Sequence, residues 1–505
     1  MRRAAPCRSG TPCPTVQDGT RDLSGTECPT YDTENQHMKM EQPIFFHPMR
    51  QPASPLQRVG DAMRRHRRAI VGIQWAVVVF YLALVTVPAF LPLPGTGSSI
   101  LNNLTLLAQF MFWGIWWPFV IISTLTLGRV WCGVFCPEGS LTELASRHGL
   151  GRPVPRWLKW GGWPFAAFII TTVYGQLVSV YEYPKAVLLV LGGSTVVAVA
   201  VGFIYGKGKR VWCRHLCPVS GVFALLSRLA PLHFKVDREQ WDAATHANLV
   251  PVDCAPLLDM RRMKSGSQCH MCGRCSGHRD AVSLTSRLPG SEVVNLKPAE
   301  ASAWEARLLV FGIIGTAVGA FQWSSSPWFV TAKTGVAEWL IERDSFALLQ
   351  DNAPWWLLTH YPEANDVFTW LDGLGVVAYI GAMALVLGGW TTLCLRLGGA
   401  MLPGSAKQNA RWLAYALIPM GGLGVFLGLS SLTVTLLKAE GIVMPWLPEV
   451  RGTLLALAAL WSMALALGML RRTPSSLPRR LFAALAVAAG VAGVIAPWLF
   501  LFYLW

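Results

Sequence analysis

The sequence predicts an all-α polytopic membrane protein of about nine transmembrane helices, interrupted by one polar cytoplasmic segment of roughly 85 residues. Three observations support that fold class. Of 505 residues, 53% are hydrophobic and only 14% charged, outside the balance of a soluble globular chain. The apolar residues fall in runs of about 20, the length that crosses a hydrocarbon core of roughly 30 Å. The basic residues gather in alternate loops, as the positive-inside rule requires of a multi-pass chain.

The runs lie near residues 69–91, 104–127, 161–181, 186–206, 304–324, 372–395, 412–437, 452–470 and 481–504. Arg307, near the start of the fifth, can snorkel to the interface. Arg64, Arg65, Arg67 and Arg68 precede the first run. Arg129, Arg147, Arg152, Arg156 and Lys159 follow the second, and Lys207, Lys209, Arg210 and Arg214 follow the fourth. Lys407, Arg411, Arg471, Arg472, Arg479 and Arg480 continue the alternation. The N-terminus is therefore expected in the cytoplasm, and an odd number of spans puts the C-terminus outside. The net charge of +15 is read as topological, which argues against nucleic acid as a partner and leaves membrane lipid.

Residues 1–60 are expected to be a disordered cytoplasmic terminus, rich in Pro, Thr, Ser and Gly over 1–40. Met38 or Met40 is an alternative start, and Cys7, Cys13 and Cys28 have no assigned role. Residues 61–218 hold a duplication. Arg129-Val130-Trp131-Cys132 and Cys136-Pro137 recur as Arg210-Val211-Trp212-Cys213 and Cys217-Pro218, and Leu144, Ser146 and Arg147 match Leu225, Ser227 and Arg228. Each copy follows a pair of apolar runs, so the two hairpins cross in the same sense and their cysteine pairs can converge on one face. Residues 219–303 form the polar segment. Residues 304–371 contain the fifth run and an outer part rich in acids and aromatics, with Trp328, Trp339, Trp355, Trp356 and Trp370 as interfacial anchors. Residues 372–505 supply four more helices, in which Gly421, Gly422, Gly424 and Gly428 suit close packing.

Twelve cysteines facing a reducing compartment point to metal or redox chemistry rather than disulfides. Cys269-His270-Met271-Cys272-Gly273-Arg274-Cys275 matches three ligands of a bacterial ferredoxin run, C-x2-C-x2-C-x3-C-P. Arg279 stands where the fourth cysteine would be, and Cys254, followed by Ala255 and Pro256, is the remaining cysteine of the segment. The expectation is one 4Fe–4S cluster on Cys254, Cys269, Cys272 and Cys275. A three-iron cluster on the triplet, ligation by His270 or His278, and a zinc site are the alternatives; structural zinc more often uses two separated C-x2-C knuckles.

Cys132, Cys136, Cys213 and Cys217 form a second redox or metal site. They hold another cluster, bind copper(I) or cycle as dithiols. Helical geometry would put each i,i+4 pair on one face, whereas the following proline favours a turn at the second cysteine. Trp131 and Trp212 read as interfacial anchors before electron relays, Cys394 as packing, and His360, Glu363 and Asp366 as a solvated loop before a metal site. His215 lies inside the second pair, but Val134 occupies its place in the first. No histidine falls in a predicted span, which excludes bis-histidine haem within the membrane.

The combination of GRVWCGVFCP, KRVWCRHLCP-x3-GVFALLSR and KVDRE followed by the cysteine run resembles the bacterial membrane polyferredoxin family over roughly residues 60–325. That family includes the membrane ferredoxin subunit of periplasmic nitrate reductase systems, the membrane part of the nitrous-oxide reductase regulator and the copper-linked cytochrome-oxidase assembly factor. The resemblance implies a 4Fe–4S electron-transfer protein of the bacterial inner membrane, an electron-transfer component rather than a stand-alone enzyme. It would take electrons from quinol or a cytoplasmic reductant and pass them to a periplasmic metalloprotein or metal transporter. A copper or ferrous-iron reductase or handling role is the alternative. The chain departs from the family in having one incomplete cysteine run and in carrying Trp241 where the family usually begins its first run. It also has more C-terminal spans than the copper-linked factor.

Overall fold

The computed structural model describes residues 54–505 apart from 96, 245–251, 253 and 264. Cys7, Cys13, Cys28, Met38 and Met40 lie outside the described residues. Among the described residues, eight helices are long and apolar enough to cross a membrane: Arg67–Phe90, Leu104–Leu127, Pro184–Tyr205, Ala303–Ser325, Trp370–Ala400, Ala406–Ala439, Leu447–Arg471 and Leu477–Leu504.

The expected third span, over 161–181, is a helix only from Trp163–Leu177. Its 15 residues rise about 22 Å, less than the hydrocarbon thickness. The helix stops because Ser179 takes a left-handed turn at φ 49° and Val180 N–H turns back to Gly175 O at 2.9 Å. It still links the two ends of the bundle. Near its start Trp160 packs edge-on against Trp304, where Ala303–Ser325 begins. At its end Leu177 O accepts from Thr359 N–H at 2.8 Å, in the segment after that span.

The all-α expectation is corrected by two small antiparallel sheets. β1 (Leu232–Val236) pairs with β2 (Val282–Ser286), Leu232 opposite Ser286 and Val236 opposite Val282. Both strands alternate apolar and polar residues, the period of a half-buried strand, and Phe234, Val282 and Leu284 are buried. The pair closes the cysteine segment at its base. β3 (His360–Tyr361) and β4 (Asp366–Val367) form a short hairpin in which Asp366 accepts from the Tyr183 hydroxyl at 2.8 Å. The region expected to be unstructured to residue 60 is also corrected. A helix runs over Pro55–Arg65, capped where Ser54 Oγ accepts from Gln57 N–H, and Asp61 accepts from Ser276 Oγ at 2.8 Å.

Ala303–Ser325 is the central helix of the bundle, with 72% of its apolar window buried. Glycines let its neighbours close on it. A Cβ at Gly428 would lie 2.1 Å from the Phe321 ring, and one at Gly421 2.9 Å from Leu309. Cys394 is buried in Trp370–Ala400, with a Cβ at Gly490 standing 3.6 Å away, so it packs a helix contact. Arg307 stacks on the Trp304 ring, 4.4 Å from its centroid.

One buried ion network ties the cysteine segment to the bundle. Arg228 donates to Glu292 at 2.9 Å and Glu305 at 3.0 Å. Arg287 also pairs with Glu292, and Tyr415 donates to Glu305 at 2.6 Å. Removing the guanidinium leaves two carboxylates without their shared partner. Arg228→Met is therefore expected to destabilise the protein by about 3–5 kcal/mol, read as a lower thermal midpoint in detergent. A midpoint equal to the wild type would show that the network contributes nothing.

Candidate metal centre

Both repeats turn at glycine as they leave the apolar run. Gly128 follows Leu127 at φ 69°, and Gly208 precedes Arg210 at φ 69°, a conformation that costs glycine little. Cys132 then lies in the wide helical turn Trp131–Phe135 and Cys213 in the short helix Val211–His215. The second cysteine of each pair is fixed by one repeated bond: Cys136 N–H donates to Trp131 O at 2.9 Å and Cys217 N–H to Trp212 O at 3.1 Å. Cys136 is extended, ψ 116°, because Pro137 excludes helical geometry before it. Its sulfur then caps the helix Pro137–Arg147, accepting from Gly139 N–H at 3.3 Å. The motif is thus a helical turn followed by an extended cysteine, which combines the two geometries its spacing allowed.

The two pairs are brought together, since Arg210 of the second repeat donates to Cys132 O of the first at 2.6 Å and Cys136 and Cys217 line one cavity. Burial pushes Cys213 up to about 12, with the charge of Cys132 adding to it. Burial also raises Cys136 and Cys217, and the other pair members raise them further. Such thiols ionise only beside positive charge or a bound metal.

The segment cysteines make a second group. Left-handed turns at Met271, φ 50°, and Gly273, φ 74°, reverse the chain between successive cysteines, and Met271 N–H donates to Cys269 Sγ at 3.4 Å. Remote Cys254 is brought in by the second repeat: Lys209 Nζ donates to Cys254 O at 3.3 Å and Arg210 N–H to Ala255 O at 2.8 Å. Burial pushes Cys269 up to about 12, and Cys272 and Cys254 raise it further. Cys275 is raised by burial and then by Cys269, Cys272 and Cys254.

A tetrahedral zinc would draw sulfurs to about 3.8 Å from one another. Among the described residues no three His, Cys, Asp or Glu side chains are gathered as a single ion requires. Two sets of four cysteines, free and buried or half-buried, are the donor set that a 4Fe–4S cluster takes.

The two departures from the ferredoxin pattern occupy one place. Arg279 lies over the Trp241 ring at 4.9 Å and donates to Trp241 O at 3.1 Å, and His278 packs edge-on against the same ring. Arg279 and Trp241 thus replace a missing ligand and a missing run with a packed contact. His270 is buried with no partner for Nδ1 among the described residues, and burial, then Arg129, hold its pKa well below the usual histidine range.

Several functional residues escaped the sequence reading. Trp131 and Trp212, expected as interfacial anchors, are buried; Trp131 packs against Trp116 and Phe135, and Trp212 Nε1 donates to Glu138 at 3.0 Å. Arg129 and Arg210, counted as topological charge, are buried between the groups. Arg129 donates to Ser267 O at 2.8 Å and Ser220 Oγ at 2.9 Å, and lies 3.7 Å from Cys132 Sγ. Arg210 donates to Cys132 O at 2.6 Å and to Glu143 at 2.8 Å. Glu143 also accepts from Arg274 at 2.7 Å; burial raises its carboxyl, but Arg210 and Arg274 outweigh that and hold it below the usual range. For the two arginines the signal was their place inside the repeated phrase, three positions before the first cysteine.

Gly133 marks where the two groups meet, since a Cβ there would stand 2.0 Å from His270 O and 2.8 Å from Cys272 N. Gly133→Ala is expected to destabilise the protein by about 1–3 kcal/mol and to open residues 254–275 to limited proteolysis. Gly72→Ala, whose Cβ meets nothing within 4 Å, is the control and should change neither.

A 4Fe–4S binding domain matches the chain twice, over residues 109–159 and 189–237. The matched ranges hold Cys132, Cys136, Cys213 and Cys217; the segment cysteines lie beyond them. The chain is similar to the putative electron transport protein YccM of Escherichia coli K12, 28% identical over 239 residues that cover 41% of this chain. The match spans 65% of that relative's length. No solved structure matches. The twice-matched 4Fe–4S binding domain is thus set among helices long and apolar enough to cross a membrane, and the similar protein is described as a putative electron transport protein.

Proposed function

We propose that this protein relays electrons from membrane quinol through two 4Fe–4S sites at its cytoplasmic face toward a periplasmic metalloprotein or metal transporter. Cys254, Cys269, Cys272 and Cys275 would hold one cluster, and Cys132, Cys136, Cys213 and Cys217 the other. A bound cluster supplies reversible one-electron chemistry. The observation that carries the reading is that the crossed bonds of Arg129 and Arg210 and one shared cavity bring the two cysteine pairs together, within the matched 4Fe–4S domains.

That grouping also bears on topology. Both pairs share one face, so the chain between them crosses the membrane an even number of times. Pro184–Tyr205 is the long span between them, and Trp163–Leu177 would supply the return as the ninth crossing. The basic loops at this face favour a cytoplasmic placement in a bacterial inner membrane.

Quinol is favoured as donor by a cavity of about 220 Å³ between the spans. Tyr81, Trp113, Trp116 and Trp131 line it, and Cys136 and Cys217 reach its wall. Flat aromatic walls suit a planar head group that enters from lipid. Glu138, held by Ser194 Oγ at 2.7 Å, is a polar group in the same lining.

Anaerobic protein is expected to contain about eight irons and eight acid-labile sulfides, two cubanes' worth. Cys272→Ser and Cys213→Ser should each lose about half. About four irons in the wild type would overturn the two-site reading. Stoichiometric copper, lost in a Cys132/Cys136 double variant, would favour metal handling instead.

About one quinone per chain should co-purify and reduce the iron–sulfur absorbance when added as quinol. Thr172→Trp, which fills the cavity from the short helix, should abolish both effects. Unchanged quinol reduction in that variant would exclude this cavity.

A further inference from the structure

We propose that Arg129 and Arg210 form one positive layer shared by the two cysteine groups, raising the reduction potentials of both sites together, with Glu143 as its negative counterweight. The inference rests on the reading that both groups hold clusters.

The repeat places the layer. Arg129 and Arg210 are equivalent residues, each three positions before the first cysteine of its own pair, and each reaches across to the other copy. Arg129 of the first repeat donates to Ser220 Oγ of the second, which itself donates to Cys213 O at 2.9 Å. Arg210 of the second repeat donates to Cys132 O and Glu143 of the first. The side chains are therefore crossed, and both lie in the protein interior, 4% and 1% exposed.

Both arginines also face the segment cysteines. Arg129 Nη1 donates to Ser267 O, two residues before Cys269, and its charge acts on Cys213 and Cys269. Arg210 interacts with Cys213 and Cys136 in one group and Cys272 in the other. A Cβ at Gly139 would stand 3.1 Å from Arg210 Nη1 and 3.5 Å from Cys136 Sγ, so that guanidinium and thiol flank a residue with no side chain. Arg274, between Cys272 and Cys275 in sequence, joins the layer through Glu143. Arg210 and Arg274 share the carboxylate of Glu143, and Arg129 adds a third guanidinium that bonds Ser267 O and Ser220 Oγ instead, so the layer is positive.

Two of its donors have no acceptor among the described residues. Arg129 Nε and Arg210 Nη2 are buried without a hydrogen-bond partner, a rare and costly state. Beside thiolate-ligated sites, such donors and charges raise potential by favouring the reduced, more negative form. Two anionic sites close together would otherwise repel, and a cation in a low-dielectric interior acts on both.

The test is an EPR-monitored redox titration of the purified full-length protein, with iron content measured on the same samples. Arg210→Met should lower both midpoint potentials, and Arg210→Lys should restore most of the loss by keeping the charge. Glu143→Gln should raise both. Opposite signs from Arg210→Met and Glu143→Gln are not what simple structural damage produces. If Arg210→Met fails to keep iron, Arg210→Lys and Glu143→Gln decide between the outcomes. A shift confined to one site, or no shift in variants that keep about eight irons, would overturn the shared layer. A wild type with about four irons would instead overturn the two-site reading beneath it.

Discussion

The arrangement of this protein depends on how buried guanidiniums are neutralised between the two halves of a duplicated unit. Arg210 is almost wholly enclosed, and an isolated charge there would be prohibitively costly. It is tolerated because Glu143 accepts from it and the Cys132 carbonyl takes a second bond. Those partners belong to the other repeat, so satisfying the charge fixes one hairpin against the other. Burial of the thiols follows, since the same contacts close the space around Cys132, Cys136, Cys213 and Cys217.

The rest of the molecule holds that joint at the end of a membrane bundle. Ala303–Ser325 is its axis, and glycines on Ala406–Ala439 let helices approach where a methyl group would strike Phe321 or Leu309. Arg228, the counterpart of Arg147 in the duplication, has another use: it clamps Glu292 and Glu305 and so anchors the cysteine segment to the bundle. Arg147 instead meets Glu143 at 3.5 Å from a half-exposed position. The two sequence-equivalent arginines meet different partners, and only the second repeat leads directly into the cysteine segment.

Much of this was legible in advance for physical reasons that act locally. Apolar runs of membrane length become helices because their backbone groups must be satisfied within the segment, and eight of the nine runs did so. The third did not reach full length, because the turn at Ser179 is set by its contacts rather than by hydropathy. β1 and β2 carried a visible period of two, but their pairing joins residues about fifty apart, a distance over which pattern alone cannot select a partner. Trp131 and Trp212 were misread for a related reason. A tryptophan beside a span end has the same sequence context whether it faces lipid or its own repeat.

By itself, the sequence determined that the chain is a multi-pass helical protein whose cysteines come in a repeated pair and a ferredoxin-like run. Those facts follow from composition, period and spacing, which short stretches carry. Only the tertiary structure decided how the second repeat holds Cys254 and Ala255, that Arg279 and Trp241 fill one gap together, and that Arg129 and Arg210 are buried between the cysteine groups. Each depends on contacts between distant segments, where the cost of burying charge and the exclusion of overlapping atoms select one arrangement that no local pattern records.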